Sequence, residues 1–172
     1  MKNATPKYCV RMMLTLSAMS VFSLGSPAES TAATKADSRV ENALKKVDYK
    51  YAVTPLGNFR VSFKLDDGRG HLVFISSSTE TFGSLETRKI WATVMKSKEP
   101  LPRDLANKLL MDNIPMKLGA YELTQVDEGG YKIQFSARVD ARCTPAALMD
   151  AVRIVLMTAD GKEKELTNAD EF

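Results

Sequence analysis

From Phe59 to Leu65 apolar and polar residues alternate: Phe59, Val61, Phe63 and Leu65 are separated by Arg60, Ser62 and Lys64. A two-residue period places each set on its own side of an extended chain, so this segment is a strand with one buried face. Asp67-Gly68 follows, a dipeptide suited to the positive φ angles of a tight hairpin. The next strand must therefore return antiparallel. A two-residue loop at Asp67-Gly68 sets Phe63 opposite Leu72 and Val61 opposite Phe74, which points His71, Val73 and Ile75 outward. A slip of one residue at Gly70 turns Val73 and Ile75 inward instead. In either register the strand from His71 to Ser76 is apolar on both faces. The second face of the sheet then needs at least partial cover, from this chain or from another.

The same signals recur along the chain. Tyr49 to Val53 reads as a short first strand. Ser76 to Ser84 (SSSTETFGS) reads as a loop, and Arg88 to Met95 as a strand with Ile90, Ala92 and Val94 inward and Trp91 and Met95 outward. Lys117 to Thr124 and the segment from Tyr131 form a second hairpin. A three-residue loop at Glu128-Gly129-Gly130 sets Leu123 opposite Phe135 and Tyr121 opposite Ala137. Tyr131, Ile133, Phe135 and Ala137 face in; Lys132, Gln134, Ser136 and Arg138 face out.

Three helices separate these strands. Ser38 and Glu41 have the spacing of a capping box, and Val40, Ala43, Leu44 and Val47 share one face behind it. Pro102 suits the first turn of a second helix with Leu105, Leu109 and Leu110 as its stripe, and Pro115 forbids its continuation. Thr144-Pro145 starts a third as cap and first residue, with Leu148, Val152, Val155 and Leu156 as its apolar side. Asp160-Gly161 is the expected end, leaving a charged tail. The order is α-β-β-β-β-α-β-β-α. Strands joined by tight turns with helices packed on them define an α+β fold, an antiparallel sheet of five to six strands with three helices.

The first 33 residues differ in kind. Lys2, Lys7 and Arg11 precede an apolar run of 14 residues, Met12 to Gly25, and small residues follow up to Thr31-Ala32-Ala33. This is the pattern of a secretory signal peptide, too short for a stable membrane span. Cleavage is expected after Ala33, with Ser26-Pro27-Ala28 as an alternative site. The product is exported, periplasmic or extracellular, with one domain over residues 34–166 and a tail over 167–172. The segment holds three of the 24 Lys and Arg residues and one of the 21 Asp and Glu residues, so the mature chain is left at net +1. That balance gives no reason to expect a nucleic-acid partner. Cys143 is the one cysteine after the segment, so no internal disulfide is expected.

The hairpin Phe59 to Arg69 (FRVSFKLDDGR) and the passage Leu101 to Leu123, with Leu101-Pro102, Leu105, Leu109-Leu110, Asn113 and Leu118-Gly119-Ala120-Tyr121, resemble the YbjN family. The likeness spans about residues 38–166. It implies a type III secretion chaperone-like fold and a tendency to bind proteins or to self-associate. It implies no active site.

Reactive groups are sparse. His71 is the single histidine, no Cys-x-x-Cys or His-x-x-His spacing occurs, and no phosphate-cradling glycine loop is present. No metal or other cofactor is expected. A thiol-dependent enzyme would have to use Cys143 activated by His71, with Arg142 and the following helix start lowering the thiol pKa. The favoured reading is a non-enzymatic protein-interaction domain, chaperone-like or regulatory, that binds a protein partner or a second copy of itself. Its expected contact surface is the outer sheet face, with Trp91 flanked by Val73 and Ile75 and rimmed by Arg60 and Lys64; the competing expectation is that the central helix covers Val73, Ile75 and Trp91.

Overall fold

A computed structural model describes residues 35–126 and 129–172. The expected signal segment and Glu128 of the second hairpin loop lie outside them. The fold is α+β, in the order α1 (Ser38–Lys46), β1 (Tyr51–Val53), β2 (Phe59–Lys64), β3 (Gly70–Phe82), β4 (Leu85–Ser97), α2 (Arg103–Asp112), β5 (Ala120–Gln125), β6 (Tyr131–Asp140) and α3 (Pro145–Thr167). The six strands form one antiparallel sheet in the order β1-β2-β3-β4-β6-β5.

The first hairpin takes the shifted register. Phe59 pairs with Ile75, Val61 with Val73 and Phe63 with His71. The two-residue loop gives way to a three-residue one: Leu65 N–H donates to Arg69 O, Gly68 N–H donates to Leu65 O, and Gly68 takes φ +86°. That left-handed position is where a glycine costs least, and the extra residue moves every later side chain to the opposite face. Val73 and Ile75 are consequently fully buried, not outward, while Leu72 and Phe74 occupy the outer face.

The other hairpins differ from expectation in extent and offset. Ser76 to Ser84 is not a loop: β3 and β4 run as long strands to a turn at Gly83-Ser84, with a bulge between Ile75 and Thr79. In the β5–β6 pair Tyr121 faces Phe135 and Leu123 faces Ile133, two residues from the expected offset. A shift of two preserves the faces, so Ile133, Phe135 and Ala137 remain in the core. A second bulge, between Thr93 and Met95 of β4, returns Met95 to the core side rather than the outer one.

Among the described residues, helices cover one face of the sheet. α3 packs on β3, β4 and β6, and α1 packs on α3. Between them and the sheet lie Val40, Leu44, Phe59, Ile75, Ile90, Phe135, Val152 and Val155, all essentially inaccessible to solvent. Asp37, one residue before the expected cap, accepts the Arg39 N–H and caps α1. Pro102 stands just outside α2 as its cap residue. α2 lies beside β5 with Leu109 buried, but Leu110, expected in the apolar stripe, is 66% exposed. Asn113, just after α2, accepts from Tyr121 N–H at 2.7 Å and donates to Tyr121 O at 3.4 Å, blocking part of the open edge of β5.

α3 begins as expected, with Thr144 as cap and Pro145 as first residue, yet does not stop at Gly161. It continues to Thr167 and ends at Asn168, whose φ of 51° is the usual left-handed exit. The last turns carry Lys162 and Glu163, which are buried in ion pairs, and those contacts outweigh a mid-helix glycine costing about 1 kcal/mol. The following residues are docked: Leu72 N–H donates to Phe172 O, Gly70 N–H to Asp170, and Glu171 N–H to Glu163.

Candidate functional site

The outer face of the sheet is the surface that α1, α2 and α3 leave to the strands among the described residues. Strand register lays its residues out in rows. One row crosses the whole sheet as Ala52, Arg60, Phe74, Trp91, Ser136 and Ala120. At its centre the Phe74 and Trp91 rings stack with centroids 5.4 Å apart and planes 13° from parallel, and both residues stay half-buried. The alternation of Ile90 and Ala92 around Trp91 already places the indole outside; Phe74 enters the site only through the one-residue register shift.

Charge surrounds the stack unevenly. Glu122 lies in a nest of donors: Lys89 Nζ at 2.6 Å, Gln134 Nε2 at 3.0 Å and Arg138 at 3.7 Å. Burial works to raise the Glu122 carboxyl, but hydrogen bonds from Lys89, Ser136 and Gln134 outweigh it and bring it down to about 2. Beyond this nest, Lys96 and Lys132 stand directly opposite one another on β4 and β6. Like charges so placed repel. Burial depresses the Lys132 ammonium, and the neighbouring charges of Lys89 and Lys96 depress it further. Among the described residues Arg60, Lys64, Lys96 and Lys132 have no acidic partner. Trp91, Arg60 and Lys64 are thus on one surface as expected, and Val73 and Ile75 are behind it.

Cys143 and His71 are not brought together. Cys143 precedes the cap of α3, whereas His71 packs against Glu163 near the other end, roughly 28 Å along the helix axis. The thiol pKa moves opposite to expectation: burial raises it, Asp140 adds to the rise, and Arg88 only partly opposes. Cys143 lines a cavity of about 320 Å³ with Arg39, Arg88 and Arg142. All three guanidiniums are engaged, Arg39 by Asp37 and Glu86, Arg88 by Asp37 and the carbonyls of Ser76 and Ser77, Arg142 by Asp140 and Ser84 O.

His71, Asp160 and Glu163 form the one cluster with metal-ligand spacing among the described residues, their ligand atoms within 4.8 Å of one another. Arg69 already supplies it with a cation, with Nε 2.8 Å from Asp160 and Nη2 3.0 Å from Glu163. The guanidinium stands where a cation would balance the two carboxylates, so the cluster reads as an internal ion network. His71 Nδ1 lies 3.3 Å from Glu163, and neither ring nitrogen makes a well-directed hydrogen bond. Burial lowers the imidazole pKa, and the charges of Glu163 and Asp160 oppose this but are outweighed.

No family model and no curated protein sequence matches the chain. No described helix is long and apolar enough to cross a membrane.

Proposed function

We propose that the chain is an exported, non-enzymatic protein-interaction domain, chaperone-like or regulatory in kind, which holds its partner on the face of the sheet opposite α1 and α3. The observation that carries this reading is the Phe74–Trp91 stack at the centre of that face, bordered by Arg60 and other cations that have no acidic partner among the described residues. Aromatic residues and arginine are the usual anchors of interaction surfaces, and lone cations on a plain solvated face do not need an aromatic floor. The resemblance to the YbjN family, whose motifs are structural, supports binding rather than chemistry.

The test is photo-crosslinking in the producing cells with benzoylphenylalanine in place of Trp91, and with the same group at Asn42 on α1 as a control. A discrete product from position 91 containing a second polypeptide is expected, and a product of twice the chain mass identifies self-association. Absence of any product, or equal products from both positions, refutes the reading.

A further inference from the structure

We infer that the segment received by this face is acidic: a stretch of partner polypeptide whose carboxylates meet Lys96 and Lys132 and whose apolar side chain rests on the Phe74–Trp91 stack. This rests on the interaction reading above and adds the chemistry of the partner.

The face already contains a worked example of what it binds. Glu122 is a carboxylate held by Lys89, Gln134 and Arg138, and the environment stabilises its charge in spite of burial. One row further on, the same sheet presents two lysines directly opposite one another, half-buried at Lys132, with no such carboxylate among the described residues. A second carboxylate there would remove the repulsion between Lys96 and Lys132 and give both ammonium groups a charge-assisted hydrogen bond. The alkyl stem of Lys96 is also oriented, its Nζ 5.4 Å from the centroid of the Phe172 ring.

The spacing sets the form of the ligand. From the Trp91 row to the Lys96–Lys132 row is roughly 15 Å of strand. An extended peptide covers that in about four or five residues, so an apolar anchor flanked by acids at that distance engages both features.

Other occupants fit less well. A second copy placed face to face would bring together two surfaces on which Arg60, Lys64, Lys96 and Lys132 have no acidic partner among the described residues, and the excess of like charge opposes such a pairing. Single-stranded nucleic acid needs open aromatic faces on which successive bases stack. Here each ring has spent one face on the other. An anionic membrane is bound by apolar side chains that penetrate it, whereas Phe74 and Trp91 lie half-sunk in the sheet.

Trp91 is the only tryptophan in the chain, so its emission reports on this site alone. The full chain is titrated with a peptide of four glutamates, one leucine and four glutamates, with its glutamine counterpart, with a twelve-nucleotide oligothymidylate, and with phosphatidylcholine vesicles containing phosphatidylglycerol. A saturable emission change is expected with the glutamate peptide and not with the glutamine one, weakened about tenfold between roughly 50 and 500 mM salt. The double variant Lys96→Gln/Lys132→Gln should weaken it about tenfold while its melting point holds or rises, since a repulsive pair is removed. The charge-matched control Lys46→Gln/Lys50→Gln should bind as the parent does. The inference is overturned by the absence of a saturable change, by equal binding of the glutamine peptide, by tighter binding of the oligonucleotide or the vesicles, or by equal losses in the two double variants. If any of these occurs while benzoylphenylalanine at position 91 still traps a polypeptide, the acidic chemistry fails and the interaction reading stands. If the crosslink is absent too, both fail.

Discussion

Replacing Arg69 by methionine isolates the part of the structure in which electrostatics matters most for stability. The Arg69 guanidinium donates to Asp160 Oδ1 at 2.8 Å, to Glu163 Oε2 at 3.0 Å and to the carbonyl of Ala169, and the Glu163 side chain it serves is completely buried. Methionine keeps most of the stem's volume and removes the charge. Two carboxylates then remain in the folded state with no cation between them. Breaking a buried pair in this way costs about 3–5 kcal/mol, because the orphaned charge retains its desolvation penalty. For a domain of this size that is a fall of roughly 10–20 °C in melting temperature. Arg39→Met is the matched control: it also bridges two acids, Asp37 and Glu86, but its side chain is 43% exposed, and such pairs are worth about 0–1 kcal/mol. Thermal unfolding followed by circular dichroism, with urea melts for the free energies, measures both. A double variant Arg69→Met/Glu163→Gln should recover part of the loss, since it removes one orphaned charge, and the mutant cycle gives the coupling directly. An Arg69→Met protein within about 1 kcal/mol of the parent, or one no less stable than Arg39→Met, would show that the network contributes little.

Four further outcomes are expected. Phe135→Asp should abolish folding, since the fully buried ring is worth about 1.5–3 kcal/mol and an unpaired carboxylate in its place costs more; a retained melting transition would refute the core assignment. His71 should make stability pH-dependent: its pKa is lowered from the ordinary 6.5 in the folded state, so the unfolded chain binds the extra proton, and the contribution is present above pH 6.5 and lost as pH falls through the lowered folded value. His71→Leu should flatten that part of the profile, and an unchanged slope in urea melts below pH 6.5 counts against it. Gly119→Ala should destabilise by more than about 1 kcal/mol, because φ is +82° and a Cβ would stand 2.4 Å from Ser136 O; hydrogen exchange at β5 that matches the parent's would contradict this. If the first 33 residues act as a signal peptide, intact-mass analysis of the protein from the producing cells should give a chain beginning near Thr34, and envelope-localised protein that keeps Met1 would refute cleavage.

Much of the fold was legible because alternation survives local errors. Phe59 to Leu65 and Tyr131 to Ala137 announce their buried sides whatever their partners are, and an offset error of two residues in the second hairpin left every side chain on its correct face. Turn length was not legible in the same way. Asp66-Asp67-Gly68 accommodates a loop of two or of three residues, and the choice depends on whether Val73 and Ile75 or Leu72 and Phe74 meet the helices. That single residue moved two of the expected contact residues into the core and put Phe74 beside Trp91. The polar run Ser76 to Ser84 concealed two strand ends because its hydrogen bonds come from a neighbouring strand, which composition does not encode. The length of α3 was hidden for a related reason. Gly161 is a local stop, and only Arg69 and Asp112, distant in sequence, explain why Lys162 and Glu163 continue the helix.

The docking of the last turn of α3 against the start of β3 also bears on the order of folding. Arg69 is 91 residues from Asp160 and 94 from Glu163, and Gly70 is 100 residues from Asp170. The hairpins β2–β3, β3–β4 and β5–β6 close over short loops and can form early, while these contacts must wait for nearly the whole chain. They should therefore be absent from the rate-limiting step. Weakening them would leave the folding rate nearly unchanged and speed unfolding by almost the full equilibrium effect. The helix end and the residues after it would then act as a latch on the native state, setting its lifetime rather than its route of formation.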